Sequence, residues 1–390
     1  MTTKMMKIGL LFLVALLSTG GQAQETDADV TELVTKNMEF MMSLYREIAG
    51  SSDDNVFVSP LSVSSALAAL SAGAQGATRE QTLRGLGLDP LNADRIPELF
   101  QKLQGEVKLD QAAAIFARQQ AVVETPFAEQ IKTYFGVDVG KADFTNAQAS
   151  QSAISDYIKS KMGGKVREAV GTMDPQTVLA LVSAAFFQGN WELPFSANYT
   201  QEERFFVSKY KIVQVPMMFR DDRFYLAYDP EVKAGVLKLP YQAGAAMLVI
   251  LPDKDVDYTS VDEVLTAQRF LGWVKKLKKT KLEVQLPRFS LDQTYSLGKV
   301  LPTLAISNVL ESTADLSGVS KEPGLRLSEV LHKAAIQVKE TGNMAGPTGS
   351  QFGGSTPPRL SINRPFLFVI YHEATGCPLF AGRVVDPSKM

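Results

Sequence analysis

The chain has 390 residues, 45% hydrophobic and 21% charged, which is ordinary globular material with enough apolar surface for a large core. A formal net charge of −2 excludes a nucleic-acid binder acting through bulk charge. The single cysteine, Cys377, excludes an internal disulfide and reads as a small buried hydrophobe in a strand.

The first residues have the form of a secretory leader. Lys4 and Lys7 give a positive start, and the ten apolar residues 8–17 (IGLLFLVALL) are too few to span a bilayer. Gly21 and Ala23 supply the small residues of a cleavage site, placed after Ala23. Losing two lysines and no acid takes the net charge to −4. The expectation is a signal peptide over 1–23 and one domain over 24–390, secreted and extracellular, with no membrane span.

The mature part opens with a helix carrying Val30, Leu33, Val34, Met38, Met41, Leu44 and Ile48 on one stripe. A short strand at 55–60 leads into an Ala/Ser-rich helix over 62–74. Thr78 and Gln81 have capping-box spacing for the next helix, closed by Gly85, and a further helix spans 94–105. A strand at 112–118 precedes a helix begun by Thr125-Pro126, and a helix over 150–162 is stopped by Gly163-Gly164. The almost wholly apolar 178–188 predicts a strand covered on both faces. Beyond 205 the pattern predicts strands at 211–218, 222–228, 235–240, 245–251, 281–290 and within 360–385. Short helices are predicted over 263–278 and 295–305. Helices crowd the first half and strands the second, so the fold class is α+β.

Residues 341–358 (TGNMAGPTGSQFGGSTPP) fit no element. They hold five glycines, three prolines and no charge, between two strands. So long a structureless stretch in a folded chain is usually functional, and it reads as a presented loop. Enzyme chemistry is missing: there is no G-x-S-x-G, no HExxH and no Walker motif. Two histidines, His332 and His372, and one cysteine leave little to ligate zinc. No catalytic residue, metal or cofactor is assigned.

Four segments carry a resemblance. They are 55–62 (NVFVSPLS), 186–191 (FFQGNW), 330–334 (VLHKA) and 363–368 (NRPFLF). In this order and spacing they resemble the serpin family over about residues 30–388. The finer likeness is to clade A members that work with a protein Z-like cofactor. The resemblance implies three sheets, about nine helices and a reactive-centre loop at about 341–358. It also implies inhibition of an extracellular serine protease by a suicide-substrate route, in which the cut loop inserts into the main sheet, and a monomer. Ser59, Ser62, Ser183 and His332 match the shutter where that sheet parts, with Ser183 where the family usually has Asn. Glu340, Thr341 and Gly342 match the hinge.

The loop departs from the family pattern. Pro347 cannot donate a ladder hydrogen bond, and each glycine weakens a strand, so insertion carries a penalty of about 3–5 kcal/mol. A full strand gains on the order of ten backbone bonds at ~1 kcal/mol each. Insertion stays favourable but slowed, which keeps a non-inhibitory binding or carrier role as the alternative. Counting from Pro357-Pro358 places the reactive bond at Gly354–Ser355, and Phe352–Gly353 is the second choice for a chymotrypsin-like attacker. Two surface features remain. Lys275, Lys276, Lys278, Lys279 and Lys281 are suited to a heparin-like glycosaminoglycan. Asn198-Tyr199-Thr200 is a glycosylation sequon.

Overall fold

The computed structural model describes residues 28–166, 170–341 and 357–389. Eight α-helices among them are α1 (Ala28–Gly50), α2 (Pro60–Ser71), α3 (Gly76–Gly85), α4 (Ile96–Val107), α5 (Thr125–Phe135), α6 (Ala147–Met162), α7 (Tyr258–Glu263) and α8 (Ala267–Lys276). The strands begin with β1 (Val56–Val58), β2 (Asp110–Arg118), β3 (Val137–Ala142), β4 (Leu179–Phe187), β5 (Gln201–Phe206), β6 (Ile212–Asp229) and β7 (Ala234–Pro240). They continue with β8 (Ala245–Pro252), β9 (Lys278–Pro287), β10 (Phe289–Ser296), β11 (Leu327–Val338), β12 (Arg359–Ser361), β13 (Phe366–His372) and β14 (Pro378–Val384). This is the α+β fold expected.

The strands form a five-stranded sheet, β10-β11-β4-β2-β3, and a nine-stranded one, β1-β14-β13-β8-β7-β6-β9-β12 with β5 beside β6. Where three sheets were implied, two are continuous. The 18-residue β6 pairs with β5 at its start and with β7 at its end, and β9 spans both regions. The predicted break between 218 and 222 is therefore absent. Its middle residues, Phe219 to Asp222, pair with Gln285 to Leu282 of β9, and that ladder holds a polar stretch extended.

Three local expectations are corrected. Thr78 and Gln81 lie inside α3 and do not cap it. Thr78 Oγ1 donates to Asn308 Oδ1, and Gln81 Oε1 accepts from the Ser307 and Asn308 amides. Residues 295–305 are not a helix: β10 runs to Ser296, held against β11, and only a 3-10 turn, Leu301–Leu304, follows. The helix expected over 263–278 is confined to α8, because Lys278 already begins β9.

Helix α6 covers one face of the five-stranded sheet. Ile154, Ile158 and Met162 pack on Phe116, Ala180, Val182, Ala184, Phe186, Leu331 and Ala335. The alternate residues Leu179, Leu181 and Ala185 join the main core on the other face. Both faces of β4 are thus buried, as its continuous apolar run required.

Candidate functional site

Residues 342–356 join the two sheets. Thr341 follows β11 of the five-stranded sheet, and Pro357 and Pro358 lead into edge strand β12 of the other, where the Glu283 amide donates to Pro358 O (3.1 Å). Gly342, Phe352, Gly353, Gly354 and Ser355 lie outside the described residues, as does the 1–23 segment.

Beside this junction, β11 and β4 are neighbours and run parallel, with an irregularity after Leu327↔Leu179 and an unbroken register from Glu329↔Ala180 to Ile336↔Phe187. Their chain neighbours β10 and β2 are antiparallel to them, so this is the only parallel seam at the sheet centre among the described strands. Along the upper seam small and large side chains face each other, with Ala184 opposite Lys333, Ala185 opposite Ala334 and Ala335 opposite Phe186.

His332 bridges the seam. It is fully buried and stands opposite Ser183 in the register. The Ser59 amide can only donate, and it lies 2.9 Å from His332 Nε2, so Nε2 accepts. The proton is therefore on Nδ1, which donates to Ser183 Oγ at 2.8 Å. Burial pushes the imidazole pKa down to about 3, and the ring is neutral. Serine, where the family usually has Asn, makes this bond to the histidine. Ser59 caps α2: its Oγ donates to Leu379 O (2.9 Å) and accepts from the Ser62 amide (3.4 Å). Ser62 Oγ is buried with no partner among the described residues. The four positions come together around one buried histidine, at the start of α2 and the middle of the seam.

The upper end of β11 is anchored by the expected hinge residue Glu340 together with Trp191, Arg288 and Thr200, which the sequence did not mark for this role. The Trp191 amide donates to Thr341 O (3.0 Å), and its indole Nε1 donates to Lys339 O (2.7 Å). The indole stacks on Tyr241 with ring centroids 4.1 Å apart. Arg288 pairs with Glu340, whose Oε1 also accepts from Thr200 Oγ1 (2.8 Å). Burial pushes the Glu340 carboxyl up, and the bonds from Arg288 and Thr200 more than offset it, leaving its pKa lowered. Trp191 closes one of the quoted segments and Thr200 ends the sequon, so both were in view. Arg288, a lone cation between buried Pro287 and Phe289, was the missed signal.

The lysine cluster divides between two elements. Lys275 and Lys276 end α8, while Lys278, Lys279 and Lys281 belong to β9. Cross-strand pairing adds two cations. Lys281 faces Arg223 and Lys279 faces Tyr225, which in turn faces Lys238 on β7. Lys279 and Lys238 lie 5.8 and 5.1 Å from the Tyr225 ring centre. Asn198 is exposed in a 3-10 turn, Ala197–Tyr199. Cys377 is fully buried, and burial raises its thiol pKa, so it is an inert core residue. No group of metal ligands occurs among the described residues, and none of their helices is long and apolar enough to cross a membrane.

The family described as Serpin (serine protease inhibitor) has a sequence model that matches residues 35–387. An alpha-1-antitrypsin-like protein of Tamias sibiricus is 34% identical over 408 residues, covering 98% of this chain and 98% of that protein. Among solved structures, mouse protein Z-dependent protease inhibitor superposes with a TM-score of 0.86 at 31% identity, covering 93% of this chain and 100% of that one. Human thyroxine-binding globulin does so with a TM-score of 0.86 at 28% identity and the same coverage.

Proposed function

This chain belongs to the serpin family, and from that premise we propose that it traps a serine protease as a suicide substrate, by inserting its cut loop between β4 and β11. The parallel seam carries this reading. A segment leaving the end of β11 at Thr341 and turning back would run antiparallel to both neighbours. It would replace one parallel ladder by two antiparallel ones, which are more stable per residue. The intact molecule then holds the less stable arrangement behind a barrier. The His332 bridge and the Trp191 and Glu340 anchors are suited to be that barrier. In this reading Ser59, Ser62, Ser183 and His332 act as the shutter and Glu340 to Gly342 as the hinge, with the cut at Gly354–Ser355.

The protein works outside the cell, as the apolar leader segment and the secreted character of its relatives support. Its sequon at exposed Asn198 carries a glycan. The basic stripe through Lys275, Lys276, Lys278, Lys279 and Lys281 takes a heparin-like glycosaminoglycan. The similarity to mouse protein Z-dependent protease inhibitor supports a protein Z-like cofactor as a partner. A carrier role is the second reading. Pro347 and the loop glycines favour it, as does the similarity to thyroxine-binding globulin.

The test incubates the protein with elastase-like and chymotrypsin-like proteases. Trapping gives a detergent-stable band at the summed mass and a cut form that melts well above the intact one. Cutting with neither sign rules trapping out and leaves the carrier reading.

A further inference from the structure

A cavity of about 410 Å³ lies at the end of the five-stranded sheet away from Thr341. Its walls come from the end of β2 (Arg118), the residues before β4 (Thr177 and Val178) and the residues before β11 (Leu325 and Arg326). Two buried polar atoms, Arg118 Nε and Thr177 Oγ1, have no partner among the described residues. Thr177 is only 4% exposed. Buried donors without acceptors are rare in native proteins and need a reason.

The charge at the cavity is favourable to an anion. Arg118 and Arg326 supply two guanidinium groups. The one acid in the wall, Asp143, is already engaged, with Oδ1 accepting from the Thr145 amide (3.1 Å) and Thr145 Oγ1 (2.5 Å). Arg118 also reaches across the lower seam. From the end of β2 its guanidinium pairs with Glu322, on the segment leading into β11, at 2.8 Å. A parting of β4 from β11 that carried these two segments apart would release the guanidinium.

We propose that this cavity receives the carboxylate created when the loop is cut, with Arg118 exchanging Glu322 for the new chain end. The proposal rests on the insertion reading above and names what holds the inserted strand at its far end. The carboxylate forms where the acyl-enzyme is hydrolysed: overall, the Gly354–Ser355 amide and one water give a carboxylate on Gly354 and an amine on Ser355, whereas a trapped acyl-enzyme carries an ester at Gly354. The length fits: residues 342–354 number about as many as the 12 of β11, so at about 3.4 Å per residue a strand started at Thr341 ends level with Leu327. Leu327 directly follows the cavity wall. Arg118 Nε and Thr177 Oγ1 donate to the carboxylate, and Arg326 adds its charge.

The test uses the full-length protein and a synthetic peptide of residues 342–354, made with a free carboxylate or a terminal amide. The acid is expected to bind wild type roughly tenfold more tightly than the amide. Arg118→Gln and Thr177→Val should bring that ratio toward one. Glu322→Gln breaks the same ion pair but keeps Arg118, so it should preserve or raise the ratio. The gain in melting temperature on cutting should be several degrees smaller in Arg118→Gln and Thr177→Val than in wild type. Equal binding of acid and amide, with equal gains in all variants, means that water alone fills the cavity and overturns the proposal while insertion stands. No gain in wild type and no binding of either peptide sinks insertion itself, and this assignment with it.

Discussion

Ser183 and His332 face each other across the parallel β4–β11 seam of the five-stranded sheet, joined by a 2.8 Å bond from Nδ1 to Oγ. The bond exists only while the imidazole is buried and β4 touches β11. Separating the strands costs this bond and the one from the Ser59 amide, and lets the ring take up a proton.

That last step makes the closed sheet pH-dependent. The folded pKa of His332 is about 3, against about 6.5 when unfolded. The native state therefore binds fewer protons. The stabilising effect is complete above pH 6.5 and is lost as pH falls toward 3. At pH 5 the loss is about 2 kcal/mol. Only two histidines exist, so their variants separate them from the Asp262 and Glu329 carboxyls, which burial raises toward the same window. Denaturant midpoints at pH 7 and pH 5 should differ in wild type and much less in His332→Gln. His372 is half-buried, bonded to Thr375, with its pKa also lowered by burial. His372→Gln should remove a smaller part of the difference, and an unchanged slope in His332→Gln would contradict the assignment.

Much of this site was legible because its residues sit in local patterns. The unbroken apolar run of β4 announced a strand buried on both faces, and the Ala/Ser-rich run from 62 announced the helix that Ser59 caps and that begins at Pro60. What was not legible depends on distant pairing. β6 stays extended through a polar middle because β9 lies beside it, and Thr78 and Gln81 turn away from their own helix toward a segment more than 220 residues on. The Arg118–Glu322 pair spans 204 residues, and nothing near either residue in sequence marks it.

At the upper anchor, Glu340→Gln should cost about 1 kcal/mol, since the Arg288 partner is partly exposed and solvent screens the pair. The lowered carboxyl pKa fixes the sign. The contribution is full above about pH 4.5 and disappears as pH falls below it. Glu340→Gln should therefore speed opening of the sheet at pH 7, read as faster uptake of a loop peptide, and matter little at pH 3.5. Arg288→Lys keeps the charge without the paired donors and should fall between wild type and Glu340→Gln.

The basic stripe predicts salt-sensitive retention on immobilised heparin. Lys281 sits directly opposite Arg223, so a polyanion lying along β9 would meet both cations. Lys279→Ala with Lys281→Ala should elute at clearly lower salt, and Arg223→Ala should add to the shift. Each removed cation should reduce the slope of log affinity against log salt by roughly one. A control at a distant lysine, Lys36→Ala, should not move the elution. Elution of the double variant with wild type would place the polyanion elsewhere.

The strongest constraint on inhibition is chemical and lies in the loop. A strand entering between β4 and β11 needs amide donors toward both neighbours, and Pro347 has none to give. Gly346 and Gly349 add backbone freedom that must be lost on insertion, at roughly 0.5–1 kcal/mol each. These terms act on the rate of entry, which competes with hydrolysis of the acyl-enzyme. A slow strand lets the protease finish and leave. Pro347→Ala alone should therefore raise the fraction of protease trapped per cut, and adding Gly346→Ala and Gly349→Ala should raise it further. About 3 kcal/mol recovered in the barrier corresponds to a change of roughly a hundredfold in the ratio of trapping to hydrolysis. The intact variants should melt with wild type, because the change acts only once the loop is cut. If the triple variant is cut as readily as wild type and still traps nothing, slow entry is not what limits this molecule, and the carrier reading gains.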